Sequence, residues 1–431
     1  MSYSATREYL FGLQKHGIRP GLETIARLLD DLGRPQAAYP TLHIGGTNGK
    51  GSTAAMAAAM LQAAGHRVGL YTSPHLVDFR ERIRVNGAMI PEAALAGLTD
   101  RLRPLAAEGV PPTFFEFTTA LAFQYFADAR VEVAVVEVGL GGRFDATNMI
   151  VPLAAAITTV ALDHQEYLGT TLEAIAYEKA GIVKQGVPVV TGRLAASAAA
   201  VVARAAAERE ARLYRVGHEC DARGDTVTGF AYRGIRERWT GLTCPLAGAH
   251  QLDNAACALA LMELASARGL RISEEAIRAG LGRTSWDGRL EIVERAPLLV
   301  LDGAHNPEAG AALAAYLRDH RAGHPGARVI LVLGMMRDKD LAGFCGLVAP
   351  LADEVVLTQA QLTRAASVHE LASALGERAS GAHLAPLPAD ALAVARRLAA
   401  AADLICVTGS LMLVGDVKAL LRGCGLSPIR G

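Results

Sequence analysis

A chain of 431 residues is too long for one ordinary hydrophobic core, so two domains are expected, and a hydrophobic content of 51% is ample for both. Basic and acidic residues number 43 each, and this balance argues against a nucleic-acid or membrane surface held by bulk charge. No apolar run reaches the roughly 18 residues of a membrane span, and the start of the chain lacks the order of a signal peptide. We therefore expect a cytoplasmic protein whose six scattered cysteines are reduced and buried.

Several segments repeat one pattern, in which a short apolar run is followed by a glycine or polar turn and often by an alanine-rich helical stretch. The runs are TLHIGG, VEVAVVEVG, AAAITTVALD, VPVVTG, PLLVLDG, ARVILVLG, DEVVLTQ and DLICVTGS. Runs that are apolar throughout suit strands covered on both faces. The pattern predicts parallel α/β sheets with helices on both sides.

The first turn, HIGGTNGKGST at residues 43–53, has the context of a phosphate-binding loop. A strand is predicted to end near Ile44 and a helix to start near Ser52. Glycines let backbone amides face phosphate oxygens, and Lys50 supplies a mobile cation. Gly51 separates Lys50 from Ser52, which departs from the usual spelling of this loop, but a chance glycine turn would require neither Lys50 nor Asn48.

Polar residues follow three of the predicted strands. Ser73 and His75 come after GLYT, where a plain polar turn ended by proline is the alternative to a site. Glu137 ends a fully apolar strand, where a carboxylate is costly unless it binds something, and this favours a magnesium ligand beside the phosphate loop. Asp163 and His164 are predicted at the end of another strand. His164 alone would more often be a core or cap residue, and it becomes a metal ligand only once Glu137 is accepted as one.

Three basic residues leave alternatives open. Arg80 and Arg82 suit either a solvated face or an acidic substrate. Lys179 ends a helical stretch and is followed by AGI, so it is either a lysine that extends its amine to water or a buried amine that can be chemically modified, for instance by carbon dioxide.

The sequence pattern changes in the later part of the chain. Residues 214–245 are polar, rich in glycine and partly alternating, which predicts antiparallel strands attached to the first sheet. NAACALALMELASARG is a strong helix, and a domain boundary near 290 then separates a first domain (1–290) from a second (291–431). LDGAHNPEAG places Asp302, His305 and Asn306 at one strand end, before a helix capped through Asn306 and Pro307.

With these motifs assembled, the chain resembles the folylpolyglutamate synthases of the Mur-ligase-like family of ATP-dependent amide-forming ligases. The resemblance runs through GGTNGKGST, YTSPHL, TFFEFTTALAF, VEVGLGGRFDATN, DHQEYLGTTLEAIAYEKAGI, GAHQLDNAACALA, DGRLEIV, LDGAHNP and GMMRDKD. It implies an α/β fold, with a P-loop ATPase domain built on a parallel sheet plus a small antiparallel element, and a smaller Rossmann-like C-terminal domain. In this family the extra glycine of the phosphate loop is normal.

The resemblance also implies site residues by position. The ATP phosphates would be held by Gly49, Lys50, Gly51 and Ser52, and the nucleotide would be contacted by Asn254, Arg289, Asp302 and His305. Magnesium, at two sites, would be bound by Ser73, Glu137 and His164, with Lys179 carbamylated to support the second metal. Lys50, Lys179 and His305 would be the catalytic residues. The pterin pocket would be lined by Thr113, Phe114, Phe115, Glu116, Phe144, Asp145 and Ala146.

The implied activity adds L-glutamate to a folate, and to dihydropteroate in bifunctional members, through an acyl phosphate. Arg19 stands where members with dihydrofolate synthase activity often carry an acid, which puts that second activity in question. A Mur ligase acting on a peptidoglycan precursor would need a UDP-binding domain before the P-loop, where only about forty residues lie. A P-loop switch or motor would not explain Lys179, TFFE or Asp302. We expect a monomer with no nucleic-acid or membrane partner.

Overall fold

The computed structural model describes residues 1–426, and the chain divides into two compact units. The first unit comprises Met1–His75, Phe79–Pro245 and Leu252–Thr284. The second comprises Leu76–Asp78, Leu246–Gln251 and the chain from Ser285 onward. Two short segments that precede Ser285 thus group with the second unit.

The first unit holds helices and strands in mixed order. Its helices are α1 (Tyr3–Gly12), α2 (Glu23–Asp31), α3 (Lys50–Ala63), α4 (Glu92–Ala106), α5 (Phe114–Asp128), α6 (Gln165–Leu168), α7 (Leu172–Lys179), α8 (Ala196–Glu208), α9 (His250–Ser266, from the end of a second-unit segment) and α10 (Glu274–Gly282). Its strands are β1 (Thr41–Gly45), β2 (Val68–Tyr71), β3 (Ile83–Val85), β4 (Ala88–Met89), β5 (Val133–Glu137), β6 (Ala154–Ile157), β7 (Val189–Thr191), β8 (Leu213–Arg215), β9 (Asp221–Asp225), β10 (Gly229–Arg233) and β11 (Arg238–Leu242).

An eight-stranded sheet of order β4-β3-β2-β5-β1-β6-β7-β8 organises this unit. The six strands from β2 to β8 in that order pair in parallel, and β3 and β4 add an antiparallel edge. Every residue of β1, β5 and β6 is buried, which explains their unbroken apolar runs and confirms the parallel sheet. The carboxyl ends of β1 and β5, neighbours in this order, carry the phosphate loop and Glu137.

The antiparallel strands after β8 were predicted correctly in type but not in position. They form a sheet of their own, β11-β10-β9, and only β8 joins the first sheet. A period-two pattern reports that one face of a strand is covered, and it contains no information about which sheet the strand joins.

The second unit is a smaller α/β fold. Its helices are α11 (Pro307–Gly323), α12 (Leu341–Val348), α13 (Val368–Leu375), α14 (Pro388–Leu398) and α15 (Leu411–Arg422). Its strands are β12 (Glu291–Arg295), β13 (Leu298–Leu301), β14 (Val329–Leu333), β15 (Glu354–Leu357), β16 (His383–Leu384) and β17 (Leu404–Thr408). The sheet order is β12-β13-β17-β14-β15-β16, parallel except for β12.

Both faces of this second sheet are covered by apolar side chains. Along β14, Ile330 and Val332 belong to a cluster with residues of α14 and α15, whereas Leu331 and Leu333 belong to a cluster with residues of α11 and α12. As predicted, α11 begins at Pro307, and the Asn306 side chain accepts a hydrogen bond from Ala309 N at 3.0 Å.

The prediction for the cysteines holds for five of the six. Those five are buried and Cys424, which follows α15, is exposed; all six are free thiols. Among the helices within residues 1–426, none has the length and apolar character that a bilayer span requires.

Candidate active site

The glycine-rich loop lies between β1 and α3, as the sequence predicts, although α3 begins at Lys50, two residues before the expected Ser52. Gly46 has φ +140°, and a Cβ there would stand 2.0 Å from Thr158 Oγ1. Gly49 has φ +85°, and its Cβ would stand 2.2 Å from Asn254 Oδ1. Left-handed backbone and close neighbours therefore both require glycine at these two positions.

Two lysine amines converge on one oxygen of this loop. Lys50 Nζ donates to Gly46 O at 3.1 Å and to Thr47 O at 3.0 Å. Lys179, the last residue of α7, is only 3% exposed, and its Nζ donates to the same Gly46 O at 3.0 Å. Lys179 is thus a buried amine beside the phosphate loop. This excludes one alternative that the sequence left open, namely a lysine that extends its amine to water.

The segment after β6 supports the loop from the other side. Thr47 N donates to Thr159 O at 2.9 Å, Asn48 N to Thr159 Oγ1 at 3.0 Å, and Thr158 Oγ1 to Asn48 O at 2.5 Å. The sequence analysis missed these threonines. They follow an apolar strand directly, which is the same signal that singled out Glu137.

The helix α9 places Asn254 against the loop. Asn254 is 4% exposed, its Oδ1 lies beside Gly49, and its carbonyl oxygen is 3.5 Å from Thr53 Oγ1 of α3. Two distant sequence motifs, GTNGKGST and HQLDNA, are therefore adjacent in the fold.

The structure brings together two of the three predicted metal ligands. Glu137 ends β5 and is 4% exposed, and its Oε2 accepts a hydrogen bond from Ser73 N at 3.2 Å. His164 lies seven residues beyond the end of β6, at the start of α6, and its side chain is 40% exposed. The expectation that Asp163 and His164 end a strand was wrong, because β6 stops at Ile157 and the threonines that follow turn toward the loop.

Within residues 1–426, no three or more His, Cys, Asp or Glu side chains are grouped so that they could hold a metal ion. The predicted set, Ser73, Glu137 and His164, includes only two residues of those four types. Carboxylate and hydroxyl oxygens are the ligands that magnesium prefers, so Glu137 and Ser73 fit such an ion by their chemistry.

Arg82 is a buried cation that the sequence analysis left undecided. It is 2% exposed, its Nε donates to His75 Nδ1 at 2.9 Å, and its guanidinium lies 5.2 Å from the ring centre of Phe114. Burial lowers the pKa of Arg82, whereas the nearby Tyr71 and Glu137 act in the opposite direction. A position on a solvated face, which was one of the two alternatives left open by the sequence, is therefore excluded for Arg82.

The start of α5 holds four of the predicted pterin residues. Thr113 and Glu116 form a capping box, in which Glu116 N donates to Thr113 Oγ1 at 3.2 Å and Thr113 N donates to Glu116 Oε2 at 2.7 Å. Phe115 packs on Gly139, where a Cβ would lie 2.4 Å from the ring. Two predicted pocket residues therefore also have a structural role, which is to begin the helix.

The loop after β5 holds the other three. Phe144 is 50% exposed, and Ala146 begins a short 3₁₀ turn that packs against α5. Asp145 is 5% exposed and accepts hydrogen bonds from Leu140 N at 2.8 Å and Thr147 N at 3.0 Å. Burial raises the pKa of Asp145, and these donors oppose that rise.

A buried histidine extends this network. Thr147 Oγ1 donates to Asp145 Oδ1 at 2.5 Å and lies 2.9 Å from Nε2 of His43, a fully buried residue of β1. Because the hydroxyl proton is directed to Asp145, His43 donates from Nε2. Burial is the main reason that the pKa of His43 falls to about 3, and Lys184 lowers it further.

In the second unit, the predicted residues surround a single turn. Asp302 directly follows β13, and its two oxygens accept hydrogen bonds from Leu290 N and Ala304 N, both at 3.0 Å. His305 Nδ1 is 2.7 Å from Gly303 O, and Arg289 Nη1 donates to Gly288 O at 3.0 Å. The DGR and LDGAHNP motifs are thus joined by the hydrogen bonds from Leu290 N to the Asp302 side chain and from Gly303 N to Gly288 O.

Comparison with known families agrees with this arrangement. The family model for the Mur ligase middle domain matches residues 44–262, and that for the Mur ligase glutamate ligase domain matches residues 288–411. The two matched regions contain the phosphate loop and the Asp302 turn, respectively. Fold and site together define the class of the protein as that of the Mur ligases.

Similarity to individual proteins identifies the family within this class. A Bacillus subtilis dihydrofolate synthase/folylpolyglutamate synthase is 34% identical over 98% of this chain and 99% of its own length. The chain spans about half the length of a Haloferax volcanii protein named as a probable bifunctional folylpolyglutamate synthase/dihydropteroate synthase, which is 39% identical over 97% of this chain. The chain belongs to the folylpolyglutamate synthase/dihydrofolate synthase family.

A solved structure shows the same fold. The Yersinia pestis bifunctional folylpolyglutamate synthase/dihydrofolate synthase, complexed with AMPPNP and a manganese ion, superposes with a TM-score of 0.88 at 35% identity, and the match covers 98% of each chain. That protein therefore combines this fold with an ATP analogue and a divalent cation.

Proposed function

We propose that this protein is an ATP-dependent ligase that joins L-glutamate to folates and to dihydropteroate. The observation that carries the proposal is the pair of lysine amines on Gly46 O, beside a strand-end carboxylate, in a chain of this family. A loop that gathers cations around glycine amides suits the transfer of a phosphoryl group from ATP.

The reaction has two steps. An oxygen of the substrate carboxylate attacks the γ-phosphorus of ATP, ADP leaves, and an acyl phosphate forms. The amine of L-glutamate then attacks the acyl carbon, phosphate leaves, and one proton is released from the nitrogen. The chain supplies no nucleophile; it positions the reactants, and Lys50 neutralises the charge on the phosphates.

A divalent cation, proposed to be magnesium at two sites, would be held by Ser73, Glu137 and His164. Glu137 and Ser73 support this by their oxygen chemistry and by the 3.2 Å contact that joins them. When bound, the cation neutralises the charge of the phosphates.

Lys179 is proposed to be carbamylated. Its neutral amine would add carbon dioxide to give a carbamate and release one proton. The carbamate nitrogen keeps one hydrogen, so the hydrogen bond to Gly46 O can persist. Two ammonium groups on one carbonyl repel each other, and converting one into an anion replaces that repulsion with attraction.

The carbamate can be tested by native and denaturing mass measurements made with ¹³C-bicarbonate. We expect a mass gain of one carbon dioxide in the native protein and none in Lys179→Met, with ¹³C NMR locating the label. Lys179→Ala should be inactive and partly restored by a short carboxylic acid. An unmodified amine in bicarbonate-replete, active enzyme would refute the modification.

The pterin is proposed to lie against Phe114, Phe115 and Phe144, with Thr113, Glu116, Asp145 and Ala146 around it. Phenylalanine rings favour a flat heterocycle, and Phe144 is half exposed next to the buried Asp145. The nucleotide is proposed to contact Gly49, Gly51, Ser52 and Asn254, and also Arg289, Asp302 and His305. The pterin ring is common to folates and dihydropteroate, which supports one pocket for both.

Product analysis tests the whole proposal. The purified chain is incubated with ATP, magnesium and L-glutamate, and dihydropteroate or a tetrahydrofolate is supplied separately, with detection by mass spectrometry. We expect a mass increase of one glutamyl residue on each substrate, and Lys50→Ala, which keeps the fold, should give none. ATP turnover that requires neither substrate would favour a P-loop switch or motor instead.

The expected monomeric state and cytoplasmic location stay predictions. Light scattering during size-exclusion chromatography would test the first, and fractionation of cells that express the full chain would test the second.

A further inference from the structure

The turn formed by residues 287–291, called here the DGRLE turn, has an unusual backbone. Gly288 has φ +69° and Leu290 has φ +48°. A left-handed conformation costs a leucine about 1–2 kcal/mol, so it persists only where the surroundings impose it. The contacts around this turn must therefore impose its conformation.

A buried lysine of α15 joins the two ends of the turn. Lys418 is 3% exposed, and its Nζ lies 2.5 Å from Glu291 Oε1 and 2.7 Å from Asp287 Oδ2. Arg422, one helical turn later, adds a contact from Nη2 to Asp287 Oδ2 at 3.2 Å, but its side chain is 52% exposed. Lys418 is thus the buried cross-link between the ends, and Arg422 is a peripheral one.

The middle of the turn is fixed by backbone hydrogen bonds. Gly288 N donates to Glu291 Oε2 at 2.8 Å, Gly303 N donates to Gly288 O at 2.9 Å, and Leu290 N donates to Asp302. Leu290 is itself buried in the core of the second unit. Arg289 lies between these fixed points, so the direction of its side chain is determined by a backbone that Lys418 holds closed.

We propose that Lys418 is a positioning residue, which holds the DGRLE turn closed so that Arg289 is preorganised to contact a phosphate-bearing nucleotide. This inference rests on the proposed nucleotide contact of Arg289. A compact ammonium suits the role because it can meet two carboxylates at once. Without it, Asp287 keeps its exposed contact with Arg422 and Glu291 keeps its hydrogen bond from Gly288 N, but the two carboxylates lose the charge that joins them.

The test measures the affinity for AMPPNP with magnesium by titration calorimetry, so it does not depend on ligation. We expect Lys418→Met to weaken binding about tenfold, by analogy with groups that orient a ligand-contacting residue. Lys418→Arg, which keeps the charge, should stay within about threefold. Arg422→Met is the matched control and should change the affinity less than twofold, because its pair with Asp287 is exposed.

A double-mutant cycle with Arg289→Met separates positioning from plain stability. If Lys418 acts through Arg289, Lys418→Met should add almost nothing in the Arg289→Met background. Additive losses, or a lower Tm with unchanged affinity in Lys418→Met, would overturn the inference. An Arg289→Met variant with wild-type affinity would refute the nucleotide contact itself, and a wild-type chain that binds AMPPNP but makes no product would refute only the proposed function. Should Lys418→Met not fold, Glu291→Gln breaks the same cross-link and is judged by the same outcomes.

Discussion

Glu137 and Asp302 come from equivalent places in the two units, and comparing them shows what a buried carboxylate at a strand end does and does not imply. Glu137 ends an apolar strand and is 4% exposed, and Asp302 directly follows an apolar strand and is 7% exposed. Asp302 accepts hydrogen bonds with both oxygens, from Leu290 N and Ala304 N, whereas Glu137 Oε2 accepts one from the amide of Ser73, its proposed partner in metal binding. The cost of burial identifies both acids, and the donors around them show that Asp302 organises the backbone through both of its oxygens.

The largest effect should follow from Glu137→Gln, which keeps the shape of the side chain and removes its charge. We expect kcat to fall about 100-fold or more, because a charged group at the phosphates contributes mainly to the transition state. The magnesium dependence of the rate should shift to higher concentration in the same variant. An unaltered metal titration would make Glu137 a structural acid of the same kind as Asp302.

Asp302→Ala should lower stability, in addition to removing the proposed contact with the nucleotide. Two buried amides lose their acceptors, which lowers the free energy of unfolding by about 2–4 kcal/mol at roughly 1–2 kcal/mol for each amide. Urea denaturation measures this, with Asp319→Ala, an exposed acid of α11, as the matched control. A variant that unfolds like the wild type would show that the two hydrogen bonds of Asp302 do not stabilise the second unit.

The parts that the sequence predicted well are those fixed by local pattern. Unbroken apolar runs located the parallel strands, and the cap formed by Asn306 and Pro307 located the start of α11. The parts it missed depend on contacts distant in the chain. Thr158 and Thr159 support the phosphate loop across more than a hundred residues, and the capping of Leu290 by Asp302 appears only once β13 is placed.

A third buried acid, Asp145, extends the comparison, because it resembles Asp302 in accepting hydrogen bonds from two backbone amides of its own unit. Its support includes neutral His43, whose pKa is lowered to about 3 from an ordinary 6.5. The unfolded chain therefore binds a proton below pH 6.5 that the folded chain does not. The stability from this residue is fully present above that pH and is lost as the pH falls toward 3.

At pH 5 the loss from His43 should be about 2 kcal/mol relative to pH 8, from 1.36 kcal/mol per pH unit. His43→Gln can still donate to Thr147 but does not titrate. Between pH 8 and pH 5, its free energy of unfolding should therefore fall by about 2 kcal/mol less than that of the wild type. Exposed His218→Gln serves as the control. Equal pH dependence in wild type and His43→Gln would show that His43 is not held neutral in the fold.

The smallest effect is expected at Arg19, next to a fourth buried acid, Glu116. Arg19 Nη2 donates to Pro111 O at 2.6 Å and lies 3.9 Å from Glu116 Oε2, at 38% side-chain exposure. The guanidinium therefore braces the segment that leads into α5, where Glu116 already bonds to Thr113 N. A partly exposed pair of this kind contributes about 1 kcal/mol or less.

Arg19→Ala should change the ratio of dihydropteroate turnover to tetrahydrofolate turnover less than about threefold, in keeping with that small energy. Both turnovers should already be present in the wild type, because the phenylalanines and Asp145 of the proposed pocket are unaffected by this change. Initial rates with each substrate at saturating glutamate measure the ratio, and Arg27→Ala, which removes a partly buried base of α2, is the control. If the wild type extends only tetrahydrofolate and Arg19→Asp gains activity with dihydropteroate, Arg19 selects the substrate, because an acid at that position can accept a hydrogen bond from the pterin amino group and a base cannot.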